Sequence, residues 1–201
     1  MKKNRIEAFS DGVFAVAATL LVFDLKVPNV SSGLVNALLA EWPAYVAFVI
    51  SFTTIVIIWV NHHVVIDTID RVDRSFLFIN GLLLLTVAAI PFPTALFAQY
   101  LQAGHDQQIA AIAYGATMSS MGVAFSSFAL YARRFRTAVV PLDRLGFAFG
   151  LIMWPIATVI ALLNVYLALA LYGSVVLFYL LLPIIRERRA LELRSRQSEP
   201  R

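Results

Sequence analysis

The chain has 201 residues, 60% of them hydrophobic and only 14% charged, with a mean hydropathy of +0.80 and a formal net charge of +4. A soluble domain carries about 25% charged residues, so this composition excludes a water-soluble globule and makes the bilayer the solvent for most of the chain. Helices of about 20 apolar residues use up most of the length and leave no room for a soluble catalytic domain. There is no cysteine, which excludes disulfides, thiolate nucleophiles and cysteine-bound metals.

Six apolar segments follow one another. The first runs from about Ile6 to Val27 and stops at Pro28. Lys2, Lys3 and Arg5 before it look like the start of a signal peptide. Asp11 and Asp24 interrupt the segment, however, and it is too long for a signal core, so we expect it to stay as the first helix. The second runs from about Trp42 to Asn61, with Pro43 in its first turn, where the missing N–H costs little. The third, from about Phe76 to Leu101, contains Pro91 and Pro93 and should kink or break near Ile90. The fourth spans about Ile109 to Ala132. The fifth spans about Leu145 to Asn164, with Pro155 inside it. The sixth spans about Tyr166 to Ile185 and follows the fifth so closely that a tight helical hairpin is expected. The expected organisation is an all-α transmembrane domain over 1–185 and a basic tail over 186–201.

Of the 16 Lys and Arg residues, 15 fall in the N-terminus, the second loop, the fourth loop and the tail; Lys26 alone falls on the other side. By the positive-inside rule this alternation predicts six spans with both termini in the cytoplasm. The same placement at helix ends, rather than along one stripe, argues against nucleic acid as a partner despite the pI of about 9.6. The second loop interleaves Asp67, Asp70 and Asp73 with Arg71 and Arg74, which reads as a solvated turn with local ion pairs.

The first helix is the unusual one. A carboxylate within a membrane helix costs about 2.5–3.5 kcal/mol on insertion scales, so Asp11 needs a reason. Six residues separate it from Arg5, or about 120° of helix rotation, so the two do not pair easily within one helix. Asp11 either meets a partner on a neighbouring helix or subunit, or bonds to local backbone at the membrane interface. Arg5-x-x-x-Phe9-Ser10-Asp11, the run Gly12 to Val22 after it, and Trp59-x-x-His62-His63 at the end of the second helix resemble the potassium channels of the transmembrane-protein-175 family and their RxxxFSD signature. The detailed match lies in the first two helices; the last three agree in number and length.

That resemblance implies a homotetramer in which four copies of the first helix line a central pore, with the lipid bilayer and further copies of the chain as its partners. Arg5, Phe9, Ser10, Asp11, Trp59 and His63 would then form a structural polar cluster at helix and subunit contacts. The narrowest apolar ring would be Val16, with Thr19 as a hydroxyl layer and Leu20 and Phe23 on the same face. The geometry of a helix permits this: taking Asp11 as zero, Val16, Thr19, Leu20 and Phe23 lie at about 140°, 80°, 180° and 120°. Ordinary packing or lipid contact would produce the same stripe, and Thr19 can equally bond back to the Ala15 carbonyl. Family members often carry Ile or Leu at the Val16 position and Leu at the Phe23 position, so the tightest point can shift toward Phe23.

No TVGYG-like loop is present, so a carbonyl filter is not expected. Discrimination of potassium from sodium would rest on dehydration at an apolar constriction, with modest selectivity and leak-like conduction. No cofactor is expected beyond the permeant potassium ion. His62 and His63 with Asp67 could be read as metal ligands, and His63 and Asp67 share a face if the helix continues, but an intramembrane zinc enzyme would want a further ligand and a base, His105 falls on the opposite side and no HExxH motif exists, so a metal site is not expected. The competing reading is a proton-coupled or small-solute transporter using Asp11, Asp24 and the broken third helix; paired halves, usual in such proteins, are not visible. A scaffold without transport is a further reading. An enzyme is not expected, because no nucleophile–base pair can be read. A prokaryotic plasma membrane is the expected location.

Overall fold

The computed structural model describes residues 3–69, 71–135 and 144–198, with side chains over 3–69, 71–135 and 148–183. Among the described residues every regular element is helical. The helices are α1 (Lys3–Leu20), α2 (Leu34–Ala40), α3 (Trp42–Asp67), α4 (Arg74–Ala89), α5 (Pro91–Ala103), α6 (Gln107–Ala132), α7 (Arg144–Ile160) and α8 (Val165–Ser198). Short 3-10 turns extend α1 through Leu21–Asp24 and α6 through Arg133–Phe135.

Among the described residues five helical stretches are long and apolar enough to cross a membrane: Lys3–Asp24, Trp42–Asp67, Arg74–Ala103, Gln107–Phe135 and Val165–Pro183. The third is the union of α4 and α5. Its break falls at Ile90, and α5 restarts with Pro91 in its first turn, where a proline has no hydrogen bond to lose. Gly104, at φ +79°, then ends α5, its N–H reaching back to the Tyr100 carbonyl at 3.2 Å. The hairpin between α7 and α8 is tight: Asn164 Oδ1 accepts from Leu167 N–H at 3.0 Å and caps α8.

Two differences from the sequence reading have simple causes. The second segment does not stop at Asn61; α3 runs on to Asp67, because His62 faces the bundle and is fully buried there. The seven-residue α2, which the sequence reading passed over, lies between Gly33 and Glu41 and buries none of its side chains. α8 continues without a break past residue 186.

α6 carries the longest buried stripe and packs against α4, α5, α7 and α8. Helices in lipid gain little hydrophobic drive from one another, so close approach and shared hydrogen bonds hold them. Gly115 supplies the approach: a Cβ there would collide with Thr158 of α7 and Tyr172 of α8. The bonds include Ser51 to Thr94 at 2.8 Å, Ser51 to Tyr114 at 3.0 Å, and Tyr172 OH donating to the Ala111 carbonyl at 3.1 Å. They link α3 to α5, α3 to α6 and α8 to α6.

Lys3 Nζ meets Asp67 Oδ1 at 3.1 Å, and Tyr131 OH donates to Asp73 Oδ2 at 2.8 Å. The start of α1, the α3–α4 loop and the end of α6 therefore share one end of the bundle. Leu25, next to Lys26, packs on Ala44, Ala47 and Ala98 at the other end. The side alternation read from the basic residues is thus a geometric fact for these elements. The acidic loop is less a set of local ion pairs than expected: Asp67 reaches α1, Asp73 caps α4 through Phe76 N–H at 2.7 Å, and Arg74 lies over the Phe78 ring. Asp70 lies outside the described residues.

Candidate functional site

α1 packs at the edge of the bundle, against α3 and α4. Ile6, Ser10, Phe14, Ala17 and Leu21 are its buried residues, spaced four, four, three and four apart, so they form one narrow stripe. Centred near 260° on the scale used above, this stripe lies about 130° from the centre of the Val16–Phe23 face. Val16 is 57% exposed and Phe23 79% exposed, and Thr19 and Leu20 are exposed between them. Phe23 sits in the 3-10 turn, where three residues make a turn, so it stands above Leu20. All four candidate pore residues therefore face away from the rest of the bundle.

Thr19 Oγ1 donates to the Ala15 and Val16 carbonyls, both at 3.0 Å. Its proton is turned into the helix, which leaves the oxygen lone pairs as the polar feature of an otherwise apolar face.

The other side of α1 is pinned in three places. Lys3 to Asp67 is the first. At the second, Trp59 Nε1 donates to Asp11 Oδ1 at 3.0 Å, and His63 Nε2 stands 3.3 Å from the same oxygen and 3.8 Å from Glu7 Oε1. His63 Nδ1 donates to the Trp59 carbonyl at 3.0 Å, and the indole and imidazole rings meet edge to face at 4.8 Å. The partner that Asp11 needed is thus on α3. At the third, deeper place, Asn80 Nδ2 donates to Ser10 Oγ at 3.1 Å, and Asn80 Oδ1 accepts from His62 Nε2 at 2.9 Å. His62 is stacked on Phe128 at 4.9 Å, and Phe14 of α1 meets it edge-on at 5.4 Å.

Of the six residues assigned to a polar cluster, Asp11, Trp59 and His63 come together. Ser10 joins the separate buried chain through Asn80. Arg5 and Phe9 are exposed, and Arg5 makes no ion pair among the described residues. Glu7, His62 and Asn80 are additions. Asn80 carried a signal: an amide followed by the long apolar run of the third segment needs a partner. Glu7 lies four residues before Asp11, on the same helical face. His63 and Asp67 do share a helix, but the first turns to Asp11 and Glu7 and the second to Lys3. Among the described residues no group of three His, Asp or Glu side chains is arranged to hold a metal ion.

These features define a multi-pass helical membrane protein whose first helix is clamped on one side and open on the other. A family model described as Endosomal/lysosomal potassium channel TMEM175 matches residues 5–91, which include Ser10, Asp11, Trp59, His63 and Asn80. A potassium channel of Streptomyces collinus is 41% identical over 188 residues, covering 89% of this chain and 91% of that protein. A potassium channel of Chamaesiphon minutus is 48% identical over 128 residues, covering 61% of this chain and 62% of that protein. The crystal structure of a lysosomal potassium-selective channel TMEM175 homolog from Chamaesiphon minutus superposes with a TM-score of 0.78 at 34% identity, over 89% of this chain and 96% of that one. The chain belongs to the TMEM175 potassium channel family, whose members are ion channels and not enzymes.

Proposed function

We propose that this chain forms a leak-like potassium channel of modest selectivity, in which four copies place α1 around a central axis and ions pass Val16, Thr19, Leu20 and Phe23. One observation carries this reading: α1 is pinned along one stripe while its opposite, mostly apolar face is left uncovered. Apolar rings of this kind control ions by dewetting, and the Thr19 lone pairs suit a partly dehydrated cation rather than an anion. In this reading α7, at 17 residues and about 25 Å, is the sixth span. Both termini lie in the cytoplasm of a prokaryotic cell, the protein sits in the plasma membrane, and no cofactor takes part.

The test is potassium and sodium flux of the purified protein in liposomes, with Val16→Ala, Thr19→Ala and Phe23→Ala. At least one substitution changes the potassium-to-sodium ratio. If all three leave flux and selectivity unaltered, the pore face is misassigned. Saturable, coupled flux would instead favour a transporter, and no flux a scaffold.

A further inference from the structure

A second feature of the bundle shares no residue with α1. α3 and α8 approach closely in the half nearer Trp42, where a Cβ on Gly173 would lie 3.8 Å from Ile50. Toward the Asp67 end they part, and α6 and α7 form the back wall of a crevice of about 490 Å³. That volume lies within the range of small-molecule sites, about 300–1,000 Å³. Its rim is apolar and uncovered, with Val60 at 48% and Leu180 at 48% exposed.

Besides Trp154 and Tyr179, three polar residues line it, and each spends a donor within its own helix. Thr54 Oγ1 donates to the Ile50 carbonyl, Asn61 Nδ2 to the Ile57 carbonyl and Ser126 Oγ to the Gly122 carbonyl, each at 2.7–2.8 Å within its own helix. Most of the lining residues are apolar, which suits hydrocarbon. The α6 wall continues toward a cation. Arg133 is seven residues beyond Ser126, on the same helical face and about 10 Å further along the axis. It is exposed and has no ion pair among the described residues. The neighbouring Arg134 guanidinium is occupied over the Tyr131 ring at 4.8 Å.

We propose that this crevice holds one acyl chain of an anionic phospholipid, from the leaflet at the Asp67 and Arg133 end, with Arg133 meeting the phosphate-bearing headgroup. An apolar slot alone would take any lipid. Arg133, beyond the end of the slot and without an ion pair among the described residues, selects an anionic one, as juxtamembrane basic residues do.

The test is native mass spectrometry of the detergent-purified protein after exchange with phosphatidylglycerol or phosphatidylcholine of identical chains. The unaltered protein retains phosphatidylglycerol more than phosphatidylcholine. Gly122→Leu fills the slot, since a Cβ there meets nothing within 4 Å and Leu favours the helix; it removes both lipids. Ser126→Leu does the same from one turn below and guards against misfolding of the first variant. Arg133→Gln keeps chain binding and lowers the preference for phosphatidylglycerol about fivefold. Benzoylphenylalanine at Leu180 crosslinks to lipid. Equal retention of the two lipids by the unaltered protein, unchanged adducts in both filled variants, or a Leu180 crosslink to a second copy of the chain would each overturn the proposal. None of these results bears on the α1 face.

Discussion

The Trp59 indole donates to the Asp11 carboxylate at 3.0 Å, so the acid that closes the RxxxFSD motif is bound by α3 and not by its own helix. The bond sets the rotation of α1. With Asp11 held against Trp59 and Ser10 against Asn80, Val16 and Leu20 have only the outside to face.

Trp59→Phe keeps the ring and removes the donor. It should lower stability in detergent by about 1 kcal/mol, toward the low end for a bond to a charged group because the site is partly exposed. Asp11→Asn retains an acceptor oxygen and should cost less. Thermal melting followed by size-exclusion fluorescence ranks the two; an equal or reversed order would mean the indole bond does not hold the helix.

Asn80→Leu should be worse than either. It strands the buried His62 Nε2–H and the Ser10 hydroxyl together, and an unsatisfied buried polar group costs about 1–3 kcal/mol. The same melting assay reads it. A variant as stable as the unaltered protein would show that the Ser10–Asn80–His62 chain is dispensable.

His63 has Nδ1 on the Trp59 carbonyl and Nε2 turned toward Asp11 and Glu7, with Trp59 as its other close neighbour and Lys3 and Asp67 paired further along the same two helices. His63→Leu removes these contacts and should lower the melting temperature in detergent; a variant that melts with the unaltered protein would remove His63 from the α1–α3 clamp.

Asp73 is the N-cap of α4. The Phe76 backbone N–H, opposed by desolvation and helped by the Tyr131 hydroxyl, draws its carboxyl below the usual value. A carboxylate with a lowered folded pKa contributes stability that is present above its unfolded pKa of about 3.9 and is lost as pH falls through the folded value. Melting temperature should fall with acid in that window, and less so in Asp73→Asn. Parallel curves for the two proteins would show that the cap contributes nothing.

The membrane-spanning stretches were legible because hydrophobic runs, proline breaks and alternating basic loops are local signals. The break at Ile90 followed from Pro91 and Pro93 alone. The end of α3 was not legible, since Asn61, His62 and His63 look like solvent residues until Phe14 of α1 and Phe128 of α6 are seen to enclose His62. α2 escaped notice because seven residues carry too little period to separate helix from loop. At the site, the partner of Asp11 could be foreseen as lying on another helix, and Trp59 and His63 were found through the family resemblance. Asn80 was not found: its role depends on α4 packing against α1 across 70 residues of sequence.

The central claim is that the Val16 side of α1 borders the ion path. The chain has no cysteine, so Val16→Cys creates a single thiol, and Leu85→Cys, exposed on α4, provides a comparison. Potassium flux in liposomes is measured before and after a charged, membrane-impermeant methanethiosulfonate reagent reaches both faces of the bilayer. Flux should be blocked in Val16→Cys and untouched in Leu85→Cys. Full flux through modified Val16→Cys, or a thiol there that only a lipid-soluble reagent can reach, would contradict the account.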